Sequence, residues 1–373
     1  MRGNNTTYIL CGFFVAAAFL VQCLTYLSAD SAWLVDSAAK LLAGRNLYTD
    51  FTETNPPFIV YLTALPIWVG YHFALPEFVS FKMFVGVVLI AGCFYSFRYI
   101  KSDFLKTIVV FGIFLLPVQS FGQREHLFIA LILPYFFAVL NNKRADNIAI
   151  AMALVGYLLK PYFVIYFIGI ALWQAVVQKK SLLLRENFII AGGLAIYVAL
   201  IYLLEPDYFT NALPLLVKYY DGFYYEHTGF YVKALVFLLL VMSIRVISPY
   251  VKKQKDQIFD KKISFAIYAA FLGGLTLIIQ DKGWTNHFLP LYFFLLISIA
   301  MLTEIAPKTV KIFMLALLTA IYTHVSLVSF MAVLHPKNTW FKGDVINIIE
   351  AKAKGKEVLG LGFDLDAAYP EVL

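Results

Sequence analysis

Residues Ala29 to Pro57 read ADSAWLVDSAAKLLAGRNLYTDFTETNPP. They follow the first long apolar run, Tyr8 to Leu27, and lead through Pro56-Pro57 into another. The stretch carries Asp30, Asp36, Asp50 and Glu53 in a chain that is only 14% charged. Its first half has helical periodicity. Leu34, Ala38, Leu41 and Leu42 share a face, Asp36 and Lys40 pair four residues apart, and Gly44 suits the helix end. The expectation is an acidic, ordered loop pressed against a membrane surface, with most of the remaining chain holding it over one cavity.

Composition fixes the class. Of 373 residues 61% are hydrophobic, and the mean hydropathy is +0.77. Runs of about 18 or more apolar residues are long enough to cross a hydrocarbon core of roughly 30 Å. Many such runs recur here, which excludes a soluble globular protein. The net charge of +7 does not point to nucleic acid, because the basic residues fall in small groups between apolar runs. Cys11, Cys23 and Cys93 all lie inside apolar runs, so they give neither a disulfide framework nor metal-ligand spacing. The first run is longer than a signal-peptide core and reads as a retained anchor.

Candidate spans are 8–28, 81–99, 107–122, 126–140, 147–159, 161–177, 187–204, 229–248, 264–280, 287–302 and 309–333. The run 57–75 is set apart by Pro66 and by Trp68, Tyr71 and His72, which suit an interfacial helix. With that run left uncrossed, 17 of the 30 basic residues fall on the side of the N-terminus. If it crossed, nearly every basic loop would face outward, against the positive-inside rule. The expected fold is therefore an all-α polytopic membrane protein of about eleven transmembrane helices, with interfacial helices in its first outward loop (29–57). The N-terminus is expected in the cytoplasm, in a bacterial inner membrane. Residues 1–333 form the membrane domain. The tail 334–373 reads as an extracytoplasmic, α/β-like piece of a small domain cut short.

Five outward segments then collect ionisable residues, which are expensive at membrane depth and commonly functional. Asp30 has two readings: an N-cap at the start of a helix, or a general base that activates a nucleophile. Arg124, Glu125 and His126 stand together after Gln123; they are either a local ion pair or a group that orients substrate, and a Glu-His pair is too small to claim a metal. Lys160 precedes Pro161 at a helix break. It either snorkels or meets a phosphate as a point charge. In Asp281-Lys282-Gly283-Trp284-Thr285-Asn286-His287, Lys282 and His287 offer charge and Trp284 a stacking face, the alternative being an ordinary aromatic belt. Tyr219 to His227 is aromatic and acidic, and suits substrate contact or an interfacial helix.

The order of these pieces carries a resemblance. Asp30 just after the first span, AAKLLAG, Tyr48-Thr49-Asp50 and Asn55-Pro56-Pro57 resemble the first outward loop of the GT-C glycosyltransferases, among them the protein O-mannosyltransferases and the lipid A aminoarabinose transferase. The resemblance covers the N-terminal third well and the rest loosely. It implies an enzyme that takes a sugar from a polyprenyl-phosphate donor outside the cytoplasm and inverts it by direct displacement. The acceptor is an envelope glycan, lipid or protein, and Asp30 is the base. It places Glu125 where relatives usually carry Asp, and makes Arg124, His126, Lys160, Lys282, Trp284, His287 and Asp50 candidates for substrate contact. No metal ligand is assigned, and no cofactor follows, although a divalent ion stays open. Two rivals remain: a transporter or flippase of lipid-linked sugars, and a non-catalytic partner in envelope assembly. Charge gathered at one face, without an internal repeat, favours the enzyme.

Overall fold

The computed structural model describes residues 5–220, 257–280, 284–306 and 308–334. Among these the protein is all-helical, with 80% helix and no strands. Five helical segments are long and apolar enough to cross a bilayer: Asn5–Leu24, Glu77–Ser96, Arg185–Leu204, Lys261–Gln280 and Thr285–Ile305. Large apolar side chains stand exposed along one of these helices, Phe188 at 75% and Tyr202, Leu203 and Leu204 each at 71%, as a lipid-facing surface requires. This is a membrane protein.

Side-chain contacts show which helix ends lie together. Helix α1 (Asn5–Leu24) ends where α4 (Glu77–Ser96) begins, because Lys82 donates to the carbonyls of Gln22 and Thr25 at 2.9 and 2.6 Å. Helix α4 ends where α6 (Arg124–Leu140) ends, since Asn141 Nδ2 donates to the Tyr99 carbonyl at 3.0 Å. The two run parallel. They touch at Gly92, where any Cβ would overlap the Ala130 carbonyl. Helix α5 (Asp103–Phe114) returns toward the other end and packs on α1.

Further along, α7 (Asn147–Leu158) rises to Lys160, α8 (Val164–Val176) descends, and α9 (Arg185–Leu204) rises again. A short π-helical turn, Tyr208–Ala212, leads into α10 (Leu213–Tyr220). Helix α11 (Gln257–Gln280) starts at the far end, where Lys262 donates to Asn141 Oδ1 at 2.7 Å. Helix α12 (Leu289–Ile305) comes back to that end, where Glu304 accepts from Ser102, and α13 (Lys308–Leu334) leaves it. The loops after α4, α6, α8 and α12, which carry the small basic groups, all lie at this far end.

Helix α2 (Ala29–Leu42) and helix α3 (Pro57–His72) are arranged differently. The N-terminus of α3 meets the end of α9: the Phe58 N–H donates to Tyr197 Oη at 3.2 Å, and Tyr61 donates to Glu205. Its C-terminus meets the start of α4, with Tyr71 donating to Glu77 at 2.6 Å and Gly70 packed on Ser80. Both ends of α3 therefore sit at one end of the bundle, with α2 packed along it. Helices lie over every expected span except 229–248. That span, and the tail beyond Leu334, fall outside the described residues.

Candidate functional site

The first outward loop is built on two local devices. Helix α2 is capped by Ser28, whose hydroxyl accepts from the Ser31 N–H at 3.4 Å. Asp30 is therefore not the N-cap, which corrects one of its two readings. It sits half-buried in the first turn, where the positive end of the helix dipole favours a carboxylate. Gly44 closes the helix with φ +84°, a conformation that suits glycine. Asp36 and Lys40 form the expected pair at 2.6 Å.

The second device is Glu53, a buried residue. It accepts from Trp33 Nε1 and Ser37 Oγ on α2, and from the N–H groups of Thr54 and Asn55 and from Asn55 Nδ2, each at 2.8 Å. Five donors on one carboxylate lock the loop to its own helix. Asn55, so fixed, accepts from Arg124 through its side-chain oxygen. Tyr48 holds the same turn by donating to the Asn55 carbonyl at 2.7 Å.

Three distant segments then converge on a buried cluster. Lys160, at the break between α7 and α8, donates to Glu125 Oε1 at 2.7 Å and approaches His287 Nε2 at 3.1 Å. Asn286 Nδ2 donates to Glu125 Oε2 at 3.1 Å. Both oxygens of Glu125 are thus engaged, so the carboxylate acts as an anchor for the cation and for the 284–288 turn. With an ammonium facing it, His287 Nε2 is the accepting nitrogen of the ring. Trp284 lies beside His287 with ring centroids 5.3 Å apart.

Burial pushes the Lys160 pKa down to about 8, while Glu125 opposes the shift and Arg124 adds to it. Asp30 is near enough to contribute to the same balance, favouring the charged lysine. Gln123 joins the two regions, its Nε2 donating to Ser28 Oγ at 3.0 Å. Asp30, Arg124, Glu125, Lys160, Trp284 and His287 therefore occupy one end of the bundle, and Glu125, Lys160 and His287 are in direct contact.

Two further candidates are engaged within their own surroundings. His126 is turned away from its neighbour Glu125: it accepts from the Gly122 N–H at Nδ1, and Nε2 lies 2.8 Å from the Ile113 carbonyl. Both ring nitrogens serve to close the turn before α6. Asp50 accepts from the Asn46 N–H at 2.7 Å and stabilises its own exposed loop. Lys282, and the Tyr219 to His227 stretch from residue 221 onward, lie outside the described residues. Asn286, Asn55 and Glu53 were assigned no individual role from the sequence: Asn286 stands there as a member of the 281–287 segment, Asn55 as part of Asn55-Pro56-Pro57, and Glu53 as one acid of the loop. No protein family, curated protein or solved structure matches this chain.

Proposed function

We propose that this protein is a GT-C-like membrane glycosyltransferase that moves a sugar from a polyprenyl-phosphate donor to an acceptor hydroxyl on an envelope glycan, lipid or protein. In this reading the chain crosses the inner membrane eleven times, and the end bearing Asp30 and Lys160 faces away from the cytoplasm. The basic loops at the opposite end support that orientation.

Asp30 takes the proton of the acceptor hydroxyl as its oxygen attacks the anomeric carbon. The bond from that carbon to the phosphate oxygen breaks, and polyprenyl phosphate leaves with the bonding pair. Lys160 and Arg124, with Lys282, meet the charge that develops on the leaving phosphate. Trp284 and His287 border the sugar. The observation that carries the reading is the buried Lys160, held by Glu125 at 2.7 Å on the same end of the bundle as a helix-borne carboxylate, Asp30. A buried cation beside a carboxylate suits a reaction that makes a proton and an anion together.

The test is transfer from radiolabelled polyprenyl-phosphate sugars in reconstituted lipid with membrane extract. Asp30→Asn is expected to lower transfer by roughly 10²–10⁴-fold while leaving donor binding intact. Wild-type turnover in Asp30→Asn would remove the base from the mechanism. Donor crossing the bilayer without transfer would replace the enzyme by a transporter.

A further inference from the structure

At the far end of the bundle four buried polar residues from three helices face one another. Tyr135 is on α6, Gln174 on α8, and Glu186 and Asn187 on α9. The Tyr135 hydroxyl lies 3.4 Å from Gln174 Oε1 and 3.4 Å from Asn187 Oδ1. Gln174 Nε2 lies 3.5 Å from Glu186 Oε1, and Asn187 Nδ2 donates to the Leu182 carbonyl at 3.2 Å. With each amide's NH₂ directed elsewhere, both amide oxygens turn toward Tyr135. Three oxygens thus share one hydroxyl proton, over distances longer than ordinary O–H···O bonds.

Glu186 adds a charge. It is 4% exposed, and among the described residues its hydrogen-bond partner is the Gln174 amide at 3.5 Å. Lys180 is near enough to sense it, but among the described residues no ion pair joins the two. A buried carboxylate held so loosely is costly unless something further compensates it.

We propose that Tyr135, Gln174 and Asn187, with the charge of Glu186 behind them, form a binding site for a monovalent cation of sodium's size. A cation of that radius stands about 2.3–2.6 Å from its oxygens, so two oxygens at right angles on it lie roughly 3.3–3.7 Å apart. Both measured separations of 3.4 Å fall in that window. A magnesium-sized ion would draw them to about 3 Å. One carboxylate with three neutral oxygens balances a single positive charge, whereas calcium sites gather several carboxylates. The ion joins α6, α8 and α9 at the end opposite Lys160, and the assignment is independent of the proposed transferase activity.

The test is binding of ²²Na⁺ to the purified, lipid-reconstituted wild-type protein, with competition by sodium, potassium, calcium and N-methylglucamine chlorides. Saturable binding is expected, displaced by sodium at about tenfold lower concentration than by potassium. Glu186→Gln is expected to weaken it by at least about tenfold, and Tyr135→Phe by less. Absence of saturable ²²Na⁺ binding to the wild type, which no folding defect in a variant can cause, would overturn the proposal. So would wild-type affinity in Glu186→Gln, or calcium displacing the label before sodium does.

Discussion

Glu125 and Glu186 are both buried carboxylates in the first turn of a helix, at opposite ends of one bundle. Both enjoy the positive end of a helix dipole. They differ in what completes them. Glu125 has an ammonium at 2.7 Å on one oxygen and an amide at 3.1 Å on the other. Glu186 has an amide at 3.5 Å. The protein itself neutralises the first charge, and its geometry is accordingly closed. It leaves the second open, and its polar neighbours stand apart. Burial of a carboxylate alone therefore says little about its role; the partners decide.

The largest effect should come from breaking the closed pair. Glu125→Gln leaves Lys160 charged and buried without its anion, at a cost of about 3–5 kcal/mol. Thermal unfolding in lipid should report a clear fall in Tm. Glu125→Gln with Lys160→Met should recover much of the loss, because no isolated charge remains. A double variant as unstable as the single would show that the pair contributes shape rather than charge compensation.

The pair also has a pH signature. The folded pKa of Lys160 is depressed to about 8 from its ordinary value near 10.5. Between those values the unfolded chain holds a proton that the folded one has released, so stability rises with pH across that window. Anion binding at the site should move the other way, weakening as pH rises through about 8 and Lys160 loses its charge. In Glu125→Gln the lysine releases its proton at lower pH still, so the penalty of that variant shrinks as pH climbs toward 8. Unfolding curves and inorganic phosphate binding, measured from pH 6 to 10, test both directions. Parallel changes would remove Lys160 as the titrating group.

A smaller effect is expected at Ser28. Its hydroxyl caps α2, donates to Ser31 Oγ at 3.1 Å and accepts from Gln123, so Ser28→Ala removes three contacts, the last of them at the seam between the loop and α6. The capping loss is about 0.5–2 kcal/mol. The cap contact is long at 3.4 Å, which places the outcome toward the lower bound. Denaturation in mild detergent measures it. A loss well above that range would mean that Gln123 carries more of the seam than the cap.

Much of the fold was legible because hydropathy and charge repeat along the chain. Apolar runs marked the helices, Pro56-Pro57 marked the start of α3, and basic groups marked the end of the bundle to which alternate helices return. The individual charges at the site were legible for the same reason: Glu125, Lys160 and His287 are rare residues beside apolar runs. Their mutual contact was not, since it joins positions 35 and 127 residues or more apart through three separate helix ends. His126 was taken with Glu125 because they adjoin in sequence. On a helix successive side chains diverge by about 100°, and the structure sends His126 to the Ile113 carbonyl. Asn55, Asn286 and the Tyr135, Gln174 and Asn187 group carry no charge, so nothing in composition or spacing distinguished them from ordinary polar residues.

The smallest expected change is the one that best separates the two carboxylates. Glu186→Gln keeps the size of the side chain and removes a charge that no ion pair compensates among the described residues. In sodium-free buffer it should therefore leave stability within about 1 kcal/mol of wild type, or raise it slightly, because replacing an uncompensated buried charge relieves a desolvation cost. Glu125→Gln in the same buffer should lose several times that amount. Adding sodium should then stabilise the wild type and leave Glu186→Gln unmoved, since a ligand stabilises only the folded form that binds it. Equal losses for the two substitutions in sodium-free buffer would mean that Glu186 is held as firmly as Glu125. The loose distances around Tyr135 would then be ordinary packing, and the contrast between the two ends of the bundle would fail with them.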